Sequence, residues 1–314
     1  MEKEERFSYE GYLIFTELFD IPEELEGNIG NFLPEYNPET PGDGFEQINL
    51  RDYYLRSPRI LDIDESWLSE TEAYRYSYEN LIKADAYVDG ELRTVDIPER
   101  KTADLYSSSG YLFVRGDTKT TTKLKNRIQE SLYPEKLNSI VFEPDFLLWL
   151  LYQHYNGEGL DYLSIRQLTD AKVSGSEDNF GEFNSISGSK NLLRSAPILE
   201  GILTGKSLQM VGGHFLAGDH HIRASLSHDK IHVKITDEMN DLTDIERVVL
   251  SIKFVDRICQ LHSEWHELNP DHKYPPTSFF KEIRSMLQEE GFSVNYPVKR
   301  TIEEYKEKRG GESL

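Results

Sequence analysis

Two sets of side chains in this sequence have the types and the spacing that chemistry needs. Lys119, Lys123 and Arg127 recur every four residues in YLFVRGDTKTTTKLKNRIQESL, so on a helix starting after Gly116-Asp117 they share one face, with Arg115 just before it. The first turn of such a helix offers free N–H groups and the positive end of its dipole, and Thr120–Thr122 add hydroxyls. A phosphate or a nucleic-acid backbone suits that surface. The segment lacks the Gly-Lys-Ser/Thr ending of a phosphate loop, so nucleotide hydrolysis does not follow. Lysines and arginines at this spacing also serve as a plain solvated helix face.

The second set is His262 and His266, one helical turn apart in LHSEWHELNPDH, with Glu264, Glu267, Asp271 and His272 close in sequence. Two imidazoles on one face can hold zinc or another borderline metal. Their order is not the His-Glu-x-x-His of a metalloprotease, and no second cluster of ligand types completes the set. Ordinary surface histidines are the competing account. His214, His220, His221, His228 and His232 crowd another stretch, where His220 beside Asp219 has the makings of an acid–base pair. Asp85, Asp89, Glu91 and Arg93 form a distorted version of a metal-dependent nuclease motif. Arginine cannot give up a proton as lysine can, which weakens that version. Cys259 sits in an amphipathic pattern as a core residue, and no serine or threonine has a nucleophile elbow around it.

The elements that must position these groups follow from pattern. Tyr111–Val114 reads as a strand, Asp117 or Thr118 as a helix cap, and Leu124, Ile128 and Leu132 as the buried face of the helix Thr118–Leu132. A strand at Ser139–Phe142 and a helix at Asp145–Tyr155 opened by Pro144 complete an α/β unit, its two strands parallel if they are neighbours. Before it, Tyr9–Leu18 is a strand or short helix, Ile21–Gly44 a proline-rich loop, and Tyr74, Tyr76 and Tyr78 one aromatic face of a strand. Asp89-Gly90 marks a hairpin between Ala84–Val88 and Leu92–Ile97. After it come β character at Leu163–Val173, a polar loop at Gly175–Gly188 and a helix from Ser189 to Leu203. An antiparallel meander follows, of Ser207–Val211, His220–Leu226 and Lys230–Ile235, its turns at Gly212-Gly213 with Gly218-Asp219 and then at His228-Asp229. Helices over Leu242–Leu268 and Phe279–Glu290 precede a tail that frays from Thr301.

The expected fold is α+β: a central α/β unit with an antiparallel meander and C-terminal helices. Its parts are an acidic, tyrosine-rich stretch over 1–104, the central unit over 105–240 and a helical cap over 241–314. The chain of 314 residues carries a net charge of −21, and residues 1–104 alone hold 26 acidic against 10 basic side chains. That third repels nucleic acid and anionic membrane, and is suited to solubility or to docking a basic protein partner. One cysteine excludes an intramolecular disulfide, and no apolar run is long enough to span a bilayer. A cytoplasmic protein is expected, with no cofactor specified.

The leading functional expectation is a non-catalytic binding or accessory subunit that contacts phosphate, foremost in nucleic acid, through Arg115, Lys119, Lys123 and Arg127. Motif-poor chains of this size are common in defence and mobile-element systems. The alternatives are a metal-dependent nucleic-acid hydrolase and a protein–protein adaptor working through the acidic N-terminal part.

Overall fold

The computed structural model describes residues 11–37, 42–57, 61, 63–132, 137–157, 159–160, 163–178, 180–236, 242–292 and 298–311. The fold is α+β, in two compact units. Tyr9, Pro38 and Pro41 lie outside the described residues.

One unit comprises Ile14–Ile140 with Leu242–Glu246. Its elements are β1 (Leu13–Asp20), β2 (Asp43–Ile48), α1 (Leu50–Arg56), α2 (Glu65–Glu70), β3 (Glu72–Val88), β4 (Glu91–Ser108), β5 (Tyr111–Arg115), α3 (Thr118–Ser131) and β6 (Asn138–Ser139). The strands run β2-β3-β4-β5-β1, each antiparallel to its neighbour, with β6 antiparallel on β1. The strands at Tyr111 and Ser139 are therefore not neighbours: both pair with β1, which the aromatic run before Asp20 supplies. Asp89 at φ 54° and Gly90 at φ 83° make the tight turn of the β3–β4 hairpin, the left-handed pair that matches strand twist. Tyr74, Tyr76 and Tyr78 are buried with Phe45, Leu105 and Val114 against Leu124, Ile128 and Leu132 of the α3 face. The tyrosine stripe is thus a packed sheet face.

The other unit comprises Val141–Asp241 and Arg247–Leu314 with the first thirteen residues. Its elements are α4 (Pro144–Asn156), β7 (Leu163–Asp178), β8 (Gly181–Ile186), α5 (Ala196–Leu203), β9 (Ser207–Ala217), β10 (His220–Ser227), β11 (Lys230–Ile235), α6 (Asp244–Glu267), α7 (Pro270–Lys273), α8 (Thr277–Glu289) and α9 (Val298–Lys308). Its strands run β11-β10-β9-β7-β8, again antiparallel. Helix α4 is apolar nearly all round and buried from Phe146 to Leu151, ending at Gly157 with φ 69°. Val248, Ile252, Val255, Ile258 and Cys259 line the buried face of α6, and Phe254 meets Phe215 of β9 edge-on at 5.4 Å.

Three expectations fail here for physical reasons. Gly175–Gly188 is not a free loop: residues 175–178 are the end of β7 and Gly181–Ile186 is the hairpin strand β8. Gly212-Gly213 is not a turn: β9 runs straight through, and a Cβ at Gly213 would meet the carbonyl oxygen of Gln167 at 2.1 Å. The stretch from Thr301 does not fray; it belongs to α9, where Thr301 Oγ1 donates to Leu203 O at 2.9 Å and Tyr305 Oη to Asp145 Oδ1 at 2.6 Å. No helix among the described residues is long and apolar enough to cross a membrane.

Candidate functional site

The four cations of the basic stripe fall where their spacing puts them, Arg115 at the end of β5 and the rest on α3. Two of them are matched by the chain's own carboxylates. Asp104 lies directly opposite both Arg75 and Arg115 across neighbouring strands, pairing with them at 2.9 and 3.4 Å. Arg127 is 3.5 Å from Asp43 and 3.6 Å from Glu130. Lys123 Nζ sits 3.9 Å from the centre of the Tyr78 ring, a cation–π contact on an otherwise exposed side chain. Lys119 is exposed. The helix N-terminus already has its anion, since Asp117 Oδ1 accepts the N–H groups of Lys119 and Thr120 at 3.0 and 3.1 Å.

The histidine pair behaves differently. His262 and His266, on the last two turns of α6, bring their Nε2 atoms within 3.2 Å of each other. A third ligand type arrives from 119 residues upstream, because Glu143 precedes Pro144 as the N-cap of α4. Its carboxylate lies 2.7 Å from His262 Nε2 and 3.4 Å from His266 Nε2. All three ligand atoms fall within 4.8 Å of one another, and no other such group of three occurs among the described residues. Glu264 and Asp271, the neighbours in sequence, point elsewhere: Glu264 pairs with Arg257 at 2.6 Å and Asp271 lies 3.8 Å from His272.

Aromatic packing fixes this corner. The His262 ring is held edge-on by Phe142 at 5.2 Å and Phe146 at 4.9 Å, and Trp265 lies 5.0 Å from the His266 ring. The Phe142 N–H donates to His228 O at 2.9 Å, which anchors the chain just before Glu143. His262 is buried, whereas the side chains of His266 and Glu143 are 44% and 42% exposed, so one side of the cluster opens to solvent. Burial pushes the Glu143 carboxyl up, but the hydrogen bond with His262, its own backbone N–H and the two imidazoles outweigh it and hold the group below the usual carboxylate range.

The acidic hairpin residues do not gather. Arg93 pairs with Glu91 at 2.8 Å and Thr94 Oγ1 donates to Asp85 at 2.8 Å on an exposed ribbon. His214, His221 and His232 share one face of β9–β11, while His228 occupies the β10–β11 turn. Sequence spacing finds the two histidines of the cluster but not Glu143, whose local signal is that of a residue before a helix-opening proline. No family model matches the chain, and no curated protein matches it.

Proposed function

We propose that this chain binds a divalent transition-metal ion through Glu143, His262 and His266. The observation that supports this reading is that two imidazole Nε2 atoms and a carboxylate converge, one ligand atom of each lying within 4.8 Å of the others. Each Nε2–H can donate to its own oxygen of Glu143, but the two N–H groups then face each other at 3.2 Å. A cation among the three removes that contact. Ligands about 2.0–2.1 Å from a tetrahedral zinc stand about 3.3 Å apart, close to the 3.2 Å between the two Nε2 atoms, and the Glu143 carboxylate flanks both, with Oε2 2.7 Å from His262 and Oε1 3.4 Å from His266.

Two imidazoles and one carboxylate suit zinc and its neighbours better than magnesium or calcium. Three protein ligands also leave a coordination position on the solvent side for water or for a substrate oxygen. That is the arrangement a metal-dependent hydrolase needs, and nucleic acid is the substrate class to test first. The test is titration of chelator-stripped protein with Zn(II) and Co(II), read by calorimetry and by the Co(II) absorption spectrum. One equivalent is expected to bind. Glu143→Gln and His266→Gln each weaken binding about 100-fold or more, since loss of even an outer partner of a ligating imidazole costs about 10- to 100-fold. Metal-free protein that takes up no ion, or variants that bind as well as the parent, defeat the reading.

A second reading keeps the phosphate-contacting subunit in the other unit, narrowed to Lys119 and Lys123. Their exposed positions one turn apart on α3 favour it, whereas Arg115 at the end of β5 and Arg127 on α3 are ion-paired. A labelled single-stranded oligonucleotide across a salt series tests it. Binding that weakens with salt and vanishes in Lys119→Glu/Lys123→Glu is expected, and binding indifferent to that change sinks it.

A further inference from the structure

The outward face of the β9–β11 meander carries an arrangement that a bare sheet surface does not favour. Arg223 on β10 lies directly opposite His214 on β9 and Lys234 on β11, so two cationic side chains face each other with an imidazole in the same row. Like charges placed opposite each other destabilise a sheet, and here Arg223 and Lys234 sit in a chain of net charge −21. Beside the row is a cavity of about 320 Å³ lined by Tyr12, Asp170, Arg223, Ser225, His232 and Lys234 among others. Its size falls near the lower end of small-ligand pockets, about 300–1,000 Å³.

Asp170 is the anion of this face, and its oxygens are taken. Oδ1 accepts from Ser187 Oγ at 2.5 Å and the Gly188 N–H at 2.9 Å; Oδ2 accepts from Thr169 Oγ1 at 2.7 Å and lies 3.5 Å from Arg223. Burial opposes ionisation, but these hydrogen bonds and Arg223 keep the carboxyl below its ordinary range. A fixed carboxylate of this kind orients a guanidinium by one edge and leaves its other N–H groups for a ligand. The Arg223 side chain is 47% exposed. A Cβ on Gly212 would meet Ser225 Cβ at 3.0 Å and Asp170 Cβ at 3.3 Å, so a side chain there would press on two residues that line the cavity. On the remaining wall the rings of Tyr12 and His232 lie parallel to within 4°, their centres 6.3 Å apart, with Tyr12 54% exposed.

We infer that this cavity binds a phosphorylated ring compound of mononucleotide size, its phosphate between Arg223 and Lys234 and its ring against Tyr12 and His232. The phosphate charge offsets the cationic row, and the parallel rings supply the planar surface on which a base stacks. This site is built from residues other than the metal ligands, so either stands without the other.

The test uses the full chain at low ionic strength, with AMP, ribose 5-phosphate and a 5′-phosphorylated single-stranded decamer as probes, followed by calorimetry. AMP is expected to bind, with affinity falling about tenfold or more in Arg223→Gln and in Lys234→Gln. Tyr12→Leu weakens AMP by about tenfold, the value of one stacked base, and leaves ribose 5-phosphate unchanged. Zn(II) binding stays the same in all three variants. Failure of the parent to bind AMP, equal binding by the variants, or capture of the decamer without AMP each overturns the inference.

Discussion

Asp117 does at the start of α3 what an external anion would otherwise do. The hydrogen bond from Thr120 Oγ1, with those from the Thr120 and Lys119 N–H groups and the charge of Lys101, holds its carboxyl below the usual range against the opposing effect of burial. Asp117→Ala is expected to cost about 1 kcal/mol in urea unfolding, with Asp117→Ser recovering most of it. If Lys119 and Lys123 contact phosphate, the same alanine variant gains oligonucleotide affinity because a competing carboxylate has gone. A second residue sets a pH dependence. His154 is kept neutral chiefly by burial, which the hydrogen bond with Ile165 O only partly offsets, so its pKa lies below the ordinary 6.5. Below that value the unfolded chain takes up a proton that the folded one resists, so stability is intact above about pH 6.5 and falls as the pH drops through and below it. The urea midpoint should therefore drop more between about pH 7.5 and 5.5 in the parent than in His154→Gln.

At the scale of elements, the buried carboxylate of Glu246 shows what a sequence does and does not announce. It sits 0% exposed in the first turn of α6, where Oε2 accepts the Thr243 N–H at 2.8 Å and Thr243 Oγ1 at 2.9 Å. Thr243-x-x-Glu246 is a capping box readable from spacing alone. Its other oxygen accepts the Leu61 N–H at 2.9 Å across 185 residues, and nothing local foretells that. Glu246→Ala leaves buried donors without an acceptor and is expected to cost about 1–3 kcal/mol, while Glu246→Gln, which keeps one acceptor oxygen, costs less. The same division runs through the fold. Asp89-Gly90 is legible because its glycine serves the turn itself, and α3 and α6 because their apolar spacing is helical. Gly213 misleads because it serves a neighbour, the Gln167 carbonyl, and α9 because its polar sequence hides the two anchors Thr301 and Tyr305. In the candidate site, His262 and His266 are legible as a helical pair, whereas Glu143 becomes a partner only through tertiary packing. Gly213→Ala is expected to destabilise well beyond an ordinary surface change, by about 2 kcal/mol or more in urea unfolding, because the β7–β9 ladder must part to admit the methyl group.

The charge of the whole molecule is legible without any structure, and its consequence is energetic. With 56 acidic against 35 basic side chains, a folded chain holds like charges closer together than an unfolded one does. Individual exposed pairs such as Arg93–Glu91 do little against this, because each is worth at most about 1 kcal/mol and salt screens it. Salt also screens the repulsion, over about 10 Å at 0.1 M and about 3 Å at 1 M. The two effects act in opposite directions, and the excess of one sign decides which dominates. The thermal midpoint should rise from low salt to about 1 M KCl, most steeply in the first few tenths molar, by about 2–4 °C for each kcal/mol of repulsion removed. Sucrose at matched osmolality, which leaves charge unscreened, separates this from a general exclusion effect. A midpoint that is flat or falls with KCl means that local pairs such as Asp104 with Arg75 and Arg115 outweigh the net charge. Replacing Asp104 by asparagine should then remove much of the salt sensitivity, whereas under net repulsion it leaves the rise in place.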